Sequence, residues 1–427
     1  MIKLHPTPSI QHKCPHCDVI LNVDSWYIPG MRNLAILKCN KCSSIFYGDL
    51  LSGHGLHYPV ILEKETGNAY DNQNIGWFSH WLLKSYQNRT CEPIEISIEK
   101  TRPIKKPLIL NCLDTLYGHS LLKLLNAQFY IDHCPGYDLI LFIPRFLSWM
   151  VPEGAAEVWT IDLPLKRGIE WNDWLAEKIK HRFETFESCW LSVAFPHPDP
   201  NDFSIERFTG IEPFNISEWT ESLKKPTITF VWRDDRCWWD EKRYASWRGL
   251  SRRLKRRLLR LEYSQIQRQE QTSRIIILAG ELKRAIPNLD FSVAGLGLQG
   301  GLPDWIHDIR TTNINVQVEK NWCKRYSESN VVIGIHGSNM LLPSAHSGAV
   351  VELVPDDRWN NIIQDILISE QGERENLFRF RLLPLDTSIK TLSIAIISLL
   401  RFFPDAFYIF NNEFTNHDKI VNFTRDK

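Results

Sequence analysis

The stretch of residues 331–355 constrains the fold more than any other part of this 427-residue chain. It contains two short, continuous apolar runs, Val331–Ile335 and Ala349–Val354, which are rich in β-branched residues. Runs of this kind are typical of parallel strands that are covered on both faces. Because His336 and Gly337 leave the first run, we expect an imidazole and backbone N–H groups at the carboxyl edge of a parallel sheet. Open α/β sheets bind ligands at that edge, and the start of the following helix favours phosphate.

A single carboxylate, Glu352, lies inside the second apolar run. Burying a carboxylate is costly unless it accepts hydrogen bonds, and a ribose diol can supply them. The whole strand–turn–helix–strand pattern resembles the C-terminal half of GT-B glycosyltransferases, in particular the family of the plant xylan xylosyltransferases and the animal EGF-domain O-GlcNAc transferase. Members of that family carry His-Gly-Ala-Gly-Leu after the first strand and a Gly-Ala-Val-Val-Glu-Ile-type second strand. His336, Gly337 and Glu352 match this pattern, whereas Ser338 and Asn339 replace Ala-Gly.

The resemblance implies roles for the residues of this turn. His336 would hydrogen-bond to the diphosphate or sugar of a nucleotide-sugar donor, and Gly337 and Ser338 would offer backbone N–H groups. Asn339 would bind sugar hydroxyls, and Glu352 would hold the ribose. The second glycine of the family pattern is missing, so the phosphate loop could have a different shape. A Rossmann-like strand pair that binds no ligand is the other alternative.

Two arginines follow another apolar run, Thr229–Trp232. The resemblance covers residues 226–385 and makes Arg233 and Arg236 the counterparts of the arginine motif after the first strand of that half. The planar guanidinium suits a leaving diphosphate, whose charge grows in the transition state. A cation must replace Mg²⁺ there in a metal-independent enzyme, so we predict Arg233 first and Arg236 second in this role. The alternative is an exposed ion-pair network with the two intervening aspartates.

A second candidate site follows the apolar run Leu108–Cys112. His119 stands at the start of a predicted helix, and Asp114 precedes it. An acceptor hydroxyl must lose a proton as it attacks the anomeric carbon, and an imidazole or a carboxylate can take that proton. We predict His119 as the catalytic base, with Asp114 as a rival base or as the group that orients it. A structural, hydrogen-bonded histidine is the alternative.

Four cysteines near the N-terminus predict a zinc site. Cys14 and Cys17 form one C-x-x-C pair, and Cys39 and Cys42 form the other. This spacing suits tetrahedral zinc, and a site closed by four thiolates is structural because no coordination position stays open. The ribbon could dock a protein or acceptor, or it could bind nucleic acid. Nucleic acid is the weaker interpretation because few basic residues surround the cysteines.

Two further motifs leave alternatives open. The glycines of Gly295–Gly301 fit the spacing of a dinucleotide fingerprint, but a lone match is weak, so we expect a loop near the donor base or a plain turn. Residues 248–260 contain seven basic side chains in an amphipathic helical pattern. That helix could bind an anionic membrane surface or nucleic acid, or it could simply present a solvated face.

The length of the chain suggests about two to three domains. The expected fold class is α/β, with two Rossmann-like domains of GT-B type that face each other across a cleft, preceded by a small zinc ribbon. We also predict strands at Arg274–Ala279 and Asn315–Val318 and a helix at Trp171–Phe183. The predicted boundaries are a zinc ribbon at 1–50, an irregular connecting segment with one short helix at 51–105, an N-terminal α/β acceptor domain at 106–225, a C-terminal nucleotide-sugar domain at 226–385, and a final helix and tail at 386–427.

Bulk properties narrow the function. The formal net charge is zero, which argues against general nucleic-acid or membrane binding. The N-terminus has no apolar signal region and most cysteines are scattered, which favours a reducing cytoplasm, with a peripheral position on the inner membrane face if the basic helix binds lipid. The resemblance therefore implies an inverting, metal-independent glycosyltransferase with a nucleotide-sugar donor and a glycan, lipid-linked or protein acceptor, and the cysteine spacing predicts structural zinc in addition. The alternatives are a zinc-ribbon nucleic-acid-binding protein and a non-catalytic sugar-binding protein.

Overall fold

The computed structural model describes residues 1–71, 76–239, 259–362, 366–367 and 377–410. The chain folds as a mixed α/β protein with three sheets, divided into two compact units at Met1–Phe208 and Thr209–Lys427. Most of the predicted basic helix at 248–260 lies outside the described residues.

The first unit begins with an antiparallel sheet that carries the four candidate zinc ligands. Its strand order is β2-β3-β4-β5-β6, and the helix α1 (Trp77–Gln87) follows it. The prediction of an irregular segment after residue 50 is wrong in part, because two of its stretches continue this sheet. The strands of this sheet are β2 (Asn22–Tyr27), β3 (Leu34–Lys38), β4 (Ile45–Asp49), β5 (Val60–Glu63) and β6 (Ala69–Asp71), and the preceding β1 (Ile2–His5) belongs to the second sheet.

A second sheet completes the first unit, in the order β1-β11-β8-β9-β10-β7. Its four central strands are parallel, and β1 and β7 close the two edges in antiparallel fashion. Alternation of strand and helix favours such a sheet. The elements are β7 (Ile96–Lys100), β8 (Pro107–Asn111), α2 (Tyr117–His133), β9 (Asp138–Pro144), β10 (Glu157–Ile161), α3 (Asp173–Phe183) and β11 (Cys189–Leu191).

The two sheets of the first unit share one hydrophobic core. Trp171 stands just before α3, and its ring is packed edge-on against Tyr47 at 4.9 Å and Tyr86 at 5.2 Å between centroids. Tyr27 also contacts this indole and donates a hydrogen bond to Asp173 at 2.8 Å. The cysteine-bearing sheet, formed by β2 to β6, is therefore an integral part of the first unit, because its aromatic side chains and the first α/β sheet bury one another.

The second unit is built on a fully parallel sheet in the order β14-β13-β12-β15-β16-β17. The short helix α4 (Glu206–Thr209) contains the point of division between the units. The other elements are α5 (Trp219–Ser222), β12 (Thr227–Trp232), α6 (Leu259–Ala285), β13 (Asp290–Leu296), β14 (Ile306–Thr311), α7 (Val316–Ser327), β15 (Val331–Ile335), α8 (Leu341–His346), β16 (Ala349–Val354), β17 (Phe380–Pro384) and α9 (Ile389–Phe410).

The division of the chain falls earlier than the predicted boundary at 225/226. Trp219 explains the difference, because it is buried in the core of the second unit with its ring 4.4 Å from that of Phe403 in α9. The helix α9 packs against α6 within this unit. Among the described helices, none combines the length and the apolar character that a membrane crossing requires.

The two apolar runs that dominate the sequence form β15 and β16, and every residue of both strands is buried. The helix predicted at Trp171–Phe183 is also present, and Asn172 caps it by accepting the N–H of Leu175 at 2.8 Å. Two strand predictions are wrong. Arg274–Ala279 lies within α6, and residues 316–318 begin α7 after the Asn315 cap. In α6 the buried Ile275, Leu278 and Ala279 pack into the core of the second unit, so tertiary packing overrides the β-branched composition. In α7 the local cap at Asn315 starts the helix, because its side chain accepts the N–H of Val318.

Candidate functional site

The two C-x-x-C pairs form turns with matching hydrogen bonds. The N–H of Asp18 donates to the carbonyl of Cys14 at 2.9 Å, and the N–H of Ser43 donates to that of Cys39 at 3.0 Å. Asp18 and Ser43 have φ angles of 55° and 63°, which lie in the left-handed region. Each pair of thiols is therefore presented by the same kind of turn.

All four sulfur atoms lie within 4.8 Å of one another. Cys14 and Cys42 are 3.6 Å apart at Sγ, and Cys17 and Cys39 are 3.4 Å apart. Tetrahedral zinc with bonds of about 2.3 Å sets its sulfurs roughly 3.8 Å apart, so the cluster could hold a metal such as zinc. The N–H of Cys42 donates to the Cys39 thiol and lowers the pKa of Cys39 to about 6, which favours the thiolate that a metal needs.

The first α/β sheet brings the predicted base and its carboxylate together. The strand order reverses between β8 and β11, and Asp114 follows β8 at that point. His119 Nδ1 lies 3.3 Å from Asp114 Oδ1, and Lys123 Nζ donates to Asp114 Oδ2 at 2.7 Å. His119 Nδ1 is also 3.2 Å from Nε2 of His54, which comes from the connection between β4 and β5.

The charges in this cluster are balanced by burial and pairing. Burial alone would raise the pKa of Asp114, but the Lys123 ammonium and the hydrogen bonds from His119 and Lys123 hold it well below its usual range. Burial and the nearby Lys123 lower the pKa of His54 to about 3, so its imidazole is neutral at pH 7. The cluster therefore contains a carboxylate, an ammonium and two imidazoles in hydrogen-bond contact.

Sequence reasoning missed His54 and Lys123. A signal existed for Lys123, because one lysine inside the apolar helical run Leu121–Leu125 needs a buried partner. No sequence signal indicated His54, because its place in the cluster depends on how the cysteine-bearing sheet packs. The ligand atoms of His54, Asp114 and His119 are close enough to hold a metal ion. The Lys123 ammonium on the same carboxylate opposes an added cation, so hydrogen bonding accounts better for the cluster.

In the second unit the strand order reverses between β12 and β15, and the predicted donor residues gather there. Arg236 Nη1 donates to the carbonyl of His336 at 3.0 Å, and Arg233 Nη1 reaches the same oxygen at 3.4 Å. Gly337 has φ of 145°, and a Cβ at this position would overlap Arg233 Nη1. Only glycine lets the arginine approach the turn so closely.

Arg233 is occupied by other side chains. Its Nε and Nη2 donate to both carboxylate oxygens of Asp235 at 2.9 and 2.6 Å, and its Nη1 donates to Asn339 Oδ1 at 2.6 Å. Arg236 has no other hydrogen-bond partner among the described residues. Burial and the neighbouring Arg233 lower the pKa of Arg236. We predicted Arg233 before Arg236 as the anion-binding group, and among the described residues Arg236 has fewer hydrogen-bond partners than Arg233.

His336 and Glu352 form a buried pair through Nδ1 and Oε2. Neither side chain has appreciable exposed surface. This arrangement changes the role expected for Glu352, since its carboxylate orients the imidazole and is not open to a ribose. The helix that follows the turn is also shorter than expected for a phosphate site, because Ser338–Met340 form a single 3-10 turn before α8.

The glycine-rich segment after β13 packs against Trp232 at the end of β12. A Cβ at Gly295 would overlap the Trp232 carbonyl, and one at Gly297 would overlap its indole. Arg310 covers the same indole at 4.4 Å from the ring centroid. These contacts explain Gly295 and Gly297 by close packing.

The described residues thus present three separate groups, namely four thiols, an acid–histidine cluster in the first unit and an arginine–histidine turn in the second. No known family model matches the sequence, and no curated protein matches it either. The chemistry of these three groups is therefore the basis for a functional assignment.

Proposed function

We propose that this protein is an inverting, metal-independent glycosyltransferase that moves a sugar from a nucleotide-diphosphate sugar to an acceptor hydroxyl. The observation that carries the proposal is the convergence of Arg233 and Arg236 on the His336 turn, at the carboxyl edge of a parallel sheet. The order of that sheet is the 3-2-1-4-5-6 order of doubly wound nucleotide-binding folds, which bind ligands where the order reverses. The resemblance to GT-B enzymes supports the same function.

On the donor side, Arg236 would receive the diphosphate first. Arg233 would join it once the ligand displaces Asp235, whose side chain is 72% exposed and free to swing into water. Two guanidinium groups stabilise the charge that develops as the sugar–phosphate bond breaks, which is the role of Mg²⁺ in metal-dependent enzymes. Glu352 would fix the orientation of His336 and thereby the shape of the turn.

On the acceptor side, His119 would act as the general base. Its Nδ1 faces the Asp114 carboxylate, which leaves Nε2 to take the proton of the acceptor hydroxyl. The hydroxyl oxygen then forms the new bond to the anomeric carbon while the diphosphate leaves with the electron pair of the broken bond. Inversion of configuration follows from the resemblance. The cysteine cluster, with zinc bound, would stabilise the first unit and take no part in the chemistry.

A second candidate is a sugar-binding protein without transferase activity. One observation favours it: Asp235 and Asn339 engage the donor groups of Arg233, which leaves the diphosphate a single cation. Nucleotide binding that depends on Arg236 but is unchanged in Arg233→Ala would support this candidate.

The first test is thermal stabilisation of the zinc-loaded protein by UDP-, GDP-, dTDP- and CMP-linked sugars, beside the free nucleotides and a short DNA duplex. A ligand at a hundred times its Kd stabilises the folded state by about 2.7 kcal/mol, which gives a readily measured rise in Tm. We expect one nucleotide class to raise Tm in the wild type and in Arg284→Ala, an exposed arginine on α6. The rise should be lost in Arg236→Ala. A salt-sensitive shift with DNA alone would contradict the proposal.

A further inference from the structure

The nitrogen His119 Nδ1 has two partners. It lies 3.3 Å from Asp114 Oδ1 and 3.2 Å from His54 Nε2, and the two imidazole rings meet at 62° with centroids 4.6 Å apart. One nitrogen atom can carry one proton, so the two contacts together decide where the protons of both rings lie.

The contacts of Asp114 determine which nitrogen of His119 carries the proton. Its Oδ2 accepts from Lys123 Nζ at 2.7 Å, and its Oδ1 accepts the backbone N–H of Thr115 at 2.8 Å. A carboxylate in this position can only accept. His119 therefore carries its proton on Nδ1 and has its lone pair on Nε2. Since the same N–H faces His54 Nε2, that nitrogen must also present a lone pair, and the proton of His54 is on Nδ1.

His54 lies in the connection between β4 and β5 of the cysteine-bearing sheet, and neighbouring segments hold it in place. The N–H of Gly53 donates to the carbonyl of Val193 at 2.7 Å. The imidazole of His54 meets the rings of Trp77 and Phe78 in α1 at centroid distances of 5.6 and 5.7 Å. The strands on either side of His54 lead to the cysteine cluster, because β4 begins at Ile45, shortly after Cys42, and Glu63 of β5 binds the imidazole of His16 at 2.8 Å.

We infer that His54 is a positioning residue for the acceptor base: its Nε2 lone pair accepts the Nδ1–H of His119 and fixes the His119 tautomer. The catalytic meaning of this contact rests on the proposed function, but the contact and its effect on protons do not. The connection between β4 and β5 of the cysteine-bearing sheet thereby contributes a side chain to the chemistry of the first unit.

Other charged and titratable groups face the pair. Lys123 lies on α2 with His119. His197, in the segment after β11, interacts electrostatically with both His54 and His119. The buried ion pair of Arg32 with Asp49 belongs to the cysteine-bearing sheet. This pair and the pair of Lys123 with Asp114 are each neutral overall, so the lone pair of His54 is the main polar contact from this sheet to His119.

Long-range ¹H–¹⁵N NMR of the histidine rings in the full, zinc-loaded protein tests this inference without any ligand. We expect both His54 and His119 to show the tautomer with the proton on Nδ1, with the His119 signals assigned by their loss in His119→Gln. A proton on Nε2 of either ring in the neutral form would overturn the inference. The metal content of the protein is a further readout of the same inference. A second metal ion per chain that is present in the wild type and absent from His54→Phe would mean that these residues form a metal site, and would overturn the inference.

Variants give the second measurement. His54→Phe removes an acceptor of the His119 Nδ1–H, so we expect this N–H signal to move upfield and to exchange faster with solvent. His54→Gln should largely restore the position of the signal, since its amide oxygen can accept the same N–H. His80→Phe, at an exposed position of α1, is the matched control and should change nothing.

An unchanged His119 Nδ1–H signal in His54→Phe would overturn the inference. The result is separable from that of the nucleotide panel. Failure of all nucleotides to bind would leave the proton positions measured here intact, and failure of this test would leave donor binding intact.

Discussion

Gly337 shows how a single residue shapes the donor side. Its backbone has φ of 145°, and its missing Cβ makes room for the guanidinium of Arg233. The same turn supplies the His336 carbonyl on which both arginines converge. The sequence pattern predicted that the N–H of this glycine would be offered to a ligand, and the group that approaches the glycine in the structure is a side chain of the protein.

We expect Gly337→Ala to abolish nucleotide-dependent stabilisation. The new Cβ displaces Arg233, and a left-handed backbone at a residue with a side chain costs on the order of 1–3 kcal/mol. Urea unfolding with and without the nucleotide that binds the wild type measures both effects. Gly280→Ala is the control, since nothing lies within 4 Å of its Cβ position in α6, and alanine should stabilise that helix by up to about 1 kcal/mol. Unimpaired binding in Gly337→Ala would contradict the described turn.

Asp235 competes with the ligand for Arg233. Its ion pair is exposed on one side, and pairs of that kind contribute about 0–1 kcal/mol. Removing its charge in Asp235→Asn should therefore tighten nucleotide binding up to about fivefold, as measured by calorimetric titration. Asp304→Asn, at an exposed aspartate near the glycine-rich segment, should leave the affinity unchanged. Weaker binding in Asp235→Asn would mean that Asp235 itself contacts the ligand.

Among the larger elements, the cysteine-bearing sheet differs most from its prediction. The cysteine spacing was sufficient to predict a cluster of four thiols that could hold a metal, because two short turns define it locally. It did not predict that β5 and β6 extend the sheet, or that the β4–β5 connection delivers His54 to the first α/β sheet.

Loss of the metal should destabilise the first unit. The thiolates of Cys14, Cys17, Cys39 and Cys42 would repel one another or take up protons without a cation, and the two turns would separate. We expect Cys39→Ser to lose the bound zinc and to lower Tm by several degrees, with a similar decrease after chelation of the wild type. Cys91→Ser alters an exposed cysteine outside the cluster and should retain both zinc and Tm. Equal zinc content in the two variants would show that the cluster is not the metal site.

The protein as a whole contains a buried neutral histidine in each unit. His346 in the second unit accepts from Thr209 Oγ1 at 3.0 Å and donates to the Leu342 carbonyl at 2.8 Å. Burial lowers the pKa of His346 to about 4. The unfolded chain takes up this proton near pH 6.5, so the stability due to His346 is complete above that pH and is lost as the pH falls toward 4.

The difference of about 2.5 pH units between these two values corresponds to about 3 kcal/mol at most. We expect the unfolding free energy of the second unit, measured by hydrogen exchange in β15 and β16, to fall over this pH range. His346→Gln keeps a donor and an acceptor but cannot titrate, so the fall should be smaller in that variant. An identical pH dependence in both proteins would contradict a neutral, buried His346.

Local patterns in the sequence were enough to predict the parallel strands β15 and β16, the helix α3, the four thiols and the pairing of Asp114 with His119. Each of these depends on apolar runs or on residues close together in the chain, where spacing alone restricts geometry. Three other features depended on tertiary structure: the helix α6 across a β-branched run, the contact of His54 with His119, and the pairing of Arg233 with Asp235 that leaves Arg236 available. They arise from packing between distant segments and from competition among charges for the same partner, and neither is encoded in a short stretch of sequence.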